Sequence, residues 1–345
     1  MRRLIVPLLL LFLAACGQPA PTAHESYVFG TRVEVLIWGA RGVAAQTASD
    51  EVLREFDRLH RSYHAWQASE LTALNDAIAA GRPHEVSAEL AELIVTAQAL
   101  TVQSERLFDP GIGRLVALWG FHGDEFKPAL PEAAALAALI AAKPSITDLT
   151  VKERIVSSKN PAVALDFGGY LKGVALDRAT AILKTRGIQN ALVNIGGNVL
   201  ALGKKGDKPW RVGIQHPRTA QSGGAPLATL ELHDGEAIGT SGDYQRYFEL
   251  DGRRYSHLID PRTGMPATAT QALTVLISPA AATGRDSDVL SKPLFVAGEN
   301  WLALAQKIGV TQVLRVDAAG KITVTAALRQ RLAFDPAQPD VSVVQ

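Results

Sequence analysis

One cysteine in 345 residues, at position 16, denies this chain any internal disulfide, so whatever it folds into must be held together by packed apolar side chains. The composition can supply such a core. Hydrophobic residues make up 47% of the chain and charged residues 20%, the balance of a globule and not of a disordered, highly charged segment. At this length one large domain or two smaller ones fit, at about 100–200 residues each. The formal net charge is +1, so no overall field favours a polyanion and nucleic-acid binding has no support.

The lone cysteine also closes an N-terminal pattern. Met1-Arg2-Arg3 is a basic leader, and residues 4–13 form an apolar run too short to cross ~30 Å of hydrocarbon as a stable anchor. The run ends in Leu13-Ala14-Ala15-Cys16, which resembles the bacterial lipobox, where small residues precede a cysteine that is lipidated and becomes the mature N-terminus. We expect a lipoprotein signal peptide over 1–15, lipidation at Cys16, a tether over 16–25 and one folded domain over 26–335. An acylated Cys16 implies membrane attachment, each buried methylene contributing about 0.8 kcal/mol. It also implies the bacterial cell envelope, facing the periplasm, with the inner membrane preferred to the outer. No later stretch approaches the ~18 consecutive apolar residues that a spanning helix needs.

Periodicity outlines the rest. Residues 27–38 alternate as a strand, with Val33, Val35 and Ile37 on one face. Thr47 with Asp50 reads as a capping box before the helical repeat of Val52, Phe56 and Leu59. Val86, Leu90, Leu93, Ile94, Ala97 and Leu100 mark a second helix, and an alanine-rich third spans 131–142. A strand over 163–166, a helix over 171–186 stopped by Gly187, and a strand over 191–202 form a βαβ-like unit. Strands follow at 210–215, 227–232, 247–250, 254–259 and 273–277, with Asp251-Gly252 as a hairpin turn. Helices over 288–296 and 301–308 and a hairpin over 312–316 and 322–325 complete an α+β layout with mixed or antiparallel sheets.

Generic nucleotide motifs fail on spacing. The segment 197–205 has five residues between its glycines and no Ser or Thr after the lysine, so it is no P-loop, and Gly111-Ile112-Gly113 lacks a third glycine. His60 and His64 are four apart without the cysteine or carboxylate company of a zinc site. What remains is an ordered set: Ser69-Glu70-Leu71 with Asn75; Phe108-Asp109-Pro110; Leu118-Trp119-Gly120-Phe121; Leu165-Asp166-Phe167-Gly168-Gly169 with Lys172-Gly173 and Asp177; Asn194-Ile195-Gly196-Gly197-Asn198; Thr240-Ser241-Gly242-Asp243-Tyr244; and His257-Leu258-Ile259-Asp260-Pro261-Arg262-Thr263-Gly264.

This succession, over residues 29–296, resembles the ApbE family of periplasmic FAD:protein FMN transferases. The resemblance implies an ApbE-like, T-fold-related α+β architecture and a chemistry. FAD is held with Mg²⁺, its pyrophosphate is cleaved, AMP leaves, and FMN is attached to a Thr or Ser of a flavin-accepting redox protein. It implies that Asp166 and Lys172 contact the cofactor and that His257 stands at the reacting phosphate. Gly169 and Asp288 fall at metal-holding positions, and Phe29 packs on the flavin where methionine is usual. Leu107, Phe108 and Asp109 align with a segment whose backbone contacts the flavin, and either Trp66 or Tyr63 supplies the stacking ring. One position departs from the family: Lys292 stands where a threonine ligand is expected. An ammonium has only donors and cannot coordinate a cation, so either Ser291 takes the ligand role or Lys292 binds phosphate as a point charge.

Overall fold

Apolar alternation is strongest in the strands, and in the computed structural model they assemble into a nine-stranded sheet whose order in space is their order along the chain. These are β1 (Thr22–Val28), β2 (Thr31–Ile37), β3 (Ala191–Ile195), β4 (Asn198–Leu202), β5 (Ala237–Gly242), β6 (Thr270–Ile277), β7 (Val313–Asp317), β8 (Ile322–Thr325) and β9 (Val341–Val344). Neighbours pair antiparallel throughout, save β8 and β9, which are parallel. The structure describes residues 20–123, 125–219, 224–335 and 341–345; the leader and Cys16 lie outside the described residues.

The helices are α1 (Gly42–Ser62), α2 (Glu70–Ala79), α3 (Ala88–Gln103), α4 (Gly113–Leu118), α5 (Ala133–Ala142), α6 (Leu171–Thr185), α7 (Thr283–Val296) and α8 (Trp301–Ile308), with a last turn at Ala326–Arg329. Val33, Val35, Ile37, Val193, Ile195 and Leu200 pack with α1 and α6 in one buried cluster. Their neighbours Leu192, Val199 and Ala201 belong to a second cluster with Trp210, Leu230 and Leu332. Those last residues come from a three-stranded sheet of Trp210–Ile214, Ala228–Leu232 and Leu332–Phe334. Both faces of the main sheet are therefore covered, which is why all five residues of β4 are buried rather than alternating.

Several expectations need correction. Residues 27–38 are not one strand: Phe29 and Gly30 turn at φ 57° and 68°, splitting β1 from β2, and β1 begins at Thr22 inside the segment read as tether. The span 191–202 is a hairpin, broken where Gly196 and Gly197 adopt φ 58° and 93°. Residues 163–166 form only an isolated bridge from Ala164 to Ile112, so the βαβ-like unit does not exist. α1 starts at Gly42, ahead of the expected capping box, and Asp50 instead accepts from Gln46 within the helix. Sheet pairing continues beyond the expected boundary at 335, because β9 closes the sheet.

Candidate active site

The centre of the site is the crossing of α6 and α7. A Cβ on Gly173 would lie 2.7 Å from the Cα of Arg285 and from the carbonyl oxygen of Gly284, and one on Gly284 would lie 2.8 Å from the Gly173 carbonyl oxygen. Only glycine at both positions lets the two backbones touch. Neither helix has a side-chain cap from its own preceding residue, and each is capped by the other. Asp177 of α6 accepts from the backbone N–H of Gly284 (2.7 Å) and Arg285 (3.0 Å), while Asp288 of α7 accepts from the N–H of Gly173 (2.9 Å). The carboxylate of Asp288, 1% exposed, is thus fixed at the positive end of a helix.

Asp288 is fully engaged. Its other oxygen accepts from Asn198 Nδ2 of β4 (2.9 Å) and from Lys292 Nζ (2.6 Å), and the same ammonium donates to the Asp288 carbonyl at 2.7 Å. Ser291 Oγ also donates to that carbonyl (3.0 Å) and lies 2.8 Å from Ser241 Oγ of β5. A Cβ on Gly169 would sit 2.8 Å from Lys292 Cε, so the lysine stem runs directly against that glycine. Gly169, Asp288 and Ser291, the positions expected to hold Mg²⁺, all lie against or beside the Lys292 side chain and its partner, so they surround an ammonium. A divalent ion needs a shell of oxygen ligands. Here three N–H donors take both carboxylate oxygens, and the serine hydroxyl is turned onto a carbonyl. Among the described residues no group of three or more His, Cys, Asp or Glu is placed to hold a metal. These residues do not fit the expected Mg²⁺.

His257 and Arg246 flank a short hairpin, Tyr247–Leu250 with Arg253–Ser256, whose pairing the His257 N–H extends by donating to the Arg246 carbonyl (3.1 Å). His257 Nδ1 lies 3.1 Å from that same carbonyl. A carbonyl only accepts, so Nδ1 carries the hydrogen and Nε2 keeps its lone pair. Burial, then repulsion from Arg246 and Lys172, pushes the imidazole pKa down to about 3, leaving it neutral at neutral pH. Lys172, half-buried in the first turn of α6, is also pushed down by burial; Asp288 opposes the shift and Lys292 and Arg246 reinforce it. Asp166 is pushed up by burial, against its bond from the Gly168 N–H (2.7 Å) and the charges of Arg246 and His64. Arg246 itself is anchored by Nη2 to the carbonyls of Phe121 (2.9 Å) and Gly123 (3.2 Å), and its Nε is buried with no partner among the described residues. Three cations and a neutral imidazole therefore share one electrostatic neighbourhood, a setting for a multiply charged anion.

The expected flavin contacts divide. Phe29 packs edge-on to His60 (5.6 Å) and near Phe56 (6.2 Å), and Trp66 lies half-buried against His122 (5.7 Å). Tyr63, the alternative to Trp66, is core: it is 2% exposed and donates its hydroxyl to Glu89 (2.7 Å). The side chains of 107–109 are also structural. Leu107 sits with Leu258 and Leu294, Phe108 packs near Tyr170, and Asp109 Oδ1 accepts from the backbone N–H of Gly111 (2.9 Å) and Ile146 (2.8 Å). Any flavin contact there would be made by the backbone.

A family model described as the ApbE family matches residues 29–314. The chain belongs to the ApbE family. A Rhodobacter capsulatus protein named FAD:protein FMN transferase is 43% identical over 316 residues; the match covers 91% of this chain but 59% of that relative's length. A Vibrio cholerae protein of the same name is 33% identical over 318 residues, covering 89% of this chain and 92% of the relative. Among solved structures, the ApbE protein of Thermotoga maritima superposes with a TM-score of 0.81 at 29% identity, over 90% of this chain and 99% of that one.

Within this ApbE-family chain two site residues escaped sequence reasoning. Arg246 lies outside every quoted motif, and nothing local marks an arginine before a hairpin as anything but solvated. Asn198 lay in a quoted motif, but its bond to Asp288, 90 residues away, has no local signature. Other motif residues prove to be scaffold. Asn75 clamps the backbone ahead of Asp166, exchanging bonds with both the N–H (2.7 Å) and carbonyl (3.0 Å) of Leu165, and Trp119 Nε1 donates to Gly264 O at 2.7 Å.

Proposed function

We propose that this protein transfers FMN from FAD to a Thr or Ser hydroxyl of a redox protein, releasing AMP. The observation that carries the reading is His257: a neutral imidazole with Nδ1–H held by the Arg246 carbonyl and a bare Nε2, among Lys172, Arg246 and Lys292. In the step, the acceptor oxygen bonds to the phosphorus on the FMN side, and that phosphorus loses its bond to the bridging oxygen. The bridging oxygen leaves with AMP. His257 Nε2 takes the hydroxyl proton and returns it to solvent. The protein's part is to position and to spread negative charge, and Lys172, Lys292 and Arg246 are the groups available for that. The divalent ion enters no step of this reading.

The setting we propose is a lipoprotein anchored through Cys16 to the inner membrane and facing the periplasm, where a flavin-accepting redox protein would be reached. Co-expression with such an acceptor, followed by in-gel flavin fluorescence and AMP measurement, tests the activity. A covalent label with equimolar AMP is expected. Bound FAD without label would instead make the protein a flavin carrier, and free FMN with AMP a pyrophosphatase. His257→Ala is expected to cut labelling by about 10²–10⁴-fold, the range of general-base contributions, while FAD stays bound. Unchanged labelling removes His257 from the step.

A further inference from the structure

Lys292 has a position that no surface lysine has. Its ammonium holds two of its three donors on Asp288, one to the carbonyl and one to the carboxylate, inside a pair whose members are 14% and 1% exposed. The stem is seated against Gly169, where any side chain would collide with Cε, and the charge is felt at both Lys172 and His257. Asp288 in turn is held by the N-terminus of α6 and by Asn198, so neither partner can turn away without leaving a buried carboxylate short of a donor. The third donor of Nζ has no partner among the described residues, and the charge it carries acts on both Lys172 and His257. The set has the form of a cation site already filled by the chain.

We infer that Lys292 is the resident cation of this site, binding the FAD pyrophosphate in place of a divalent metal, so that flavin binding and transfer by this protein are independent of Mg²⁺. The inference rests on the transferase reading for the nature of its ligand. It makes the ammonium a fixed electrophile: a charge-assisted N–H bond to phosphate oxygen, held by Asp288 and supported by Lys172. It also excludes a metal on simple grounds, since a second cation would have to expel the first from both of its oxygens.

Four measurements on the full folded protein test it. FAD affinity, read by flavin fluorescence, is expected to change less than twofold between excess chelator and millimolar Mg²⁺. Mn²⁺, followed by its electron paramagnetic resonance signal, is expected not to bind stoichiometrically to the wild type, with or without FAD. Lys292→Met, which keeps the stem and removes the charge, is expected to weaken FAD at least tenfold whether or not metal is present. Lys292→Thr, which offers an oxygen ligand, is expected to lose affinity in chelator and regain it with Mn²⁺; circular dichroism confirms that both variants fold. Stoichiometric Mn²⁺ binding by the wild type, or a tenfold loss of FAD affinity in chelator, overturns the inference without touching the transferase reading. FAD binding in chelator with no labelled acceptor overturns the transferase reading and leaves Lys292 in place.

Discussion

A histidine that must accept a proton is useful only while it is neutral, and here the surroundings enforce that state. Burial and the Arg246 and Lys172 charges all disfavour the imidazolium, bringing His257 down to about 3. In an unfolded chain the same group takes its proton near ~6.5. Between those values the unfolded state binds more protons than the folded one. The fold therefore gains from a neutral His257 above ~6.5 and loses that advantage progressively as the pH falls toward 3. In the protein without FAD, the ring C–H resonances of His257 are expected to show no titration between pH 8 and 5. Arg246→Gln, by removing one repulsive charge, should move the midpoint upward. A wild-type midpoint above 6 would mean that burial and the two neighbouring cations act on the ring far less than its surroundings imply. Asp166 moves the other way, upward through burial, so any acid limb of activity is expected to follow carboxylates and not this imidazole.

The α6 and α7 crossing does for the site what no single residue could. Two helices cap one another through Asp177 and Asp288, and two glycines set the separation at which both caps reach. Gly173→Ala puts a methyl 2.7 Å from backbone atoms of α7 that cannot rotate away. It is expected to cost about 1–3 kcal/mol, the range for overpacking, read by denaturant unfolding. FAD affinity should fall with it, because Asp288 and Lys292 move with α7; full stability with full affinity would show that the two backbones do not touch at Gly173. Much of the element pattern was legible from alternation and helical spacing: α3, α6, α8, the closing hairpin, and the Asp251-Gly252 turn at φ 51° and 71°. The misreadings share a cause. Residues 27–38 and 191–202 keep their apolar character straight through a reversal, so the only warning was local backbone chirality at Phe29-Gly30 and Gly196-Gly197. The i, i+4 spacing of Asp288 and Lys292 was visible, but what turns that pair into a site is Asn198 and Gly173, set 90 and 115 positions away. Long-range partners of that kind leave no mark in a window of ten residues.

At the scale of the molecule, the position of the first strand limits how far the body could sit from a membrane if Cys16 is lipidated as proposed. β1 begins at Thr22, so at most five residues separate Cys16 from the sheet, fewer than the tether read from composition. Even fully extended, so few residues reach roughly 20 Å at ~3.3–3.6 Å each. With the lipid proposed at Cys16, a body on so short a lead would stay in the layer next to the membrane, and would meet a membrane-bound acceptor at a high effective concentration while gaining nothing toward a dissolved one. Cys16→Ser separates these cases. The wild type is expected in the membrane fraction and the variant in the soluble fraction. The variant should label a membrane-bound acceptor at least tenfold more slowly, yet label a soluble acceptor fragment at the wild-type rate. Equal rates on both acceptors would mean that attachment plays no part in finding the partner, and a variant that stays with the membrane would mean that something other than Cys16 holds it there.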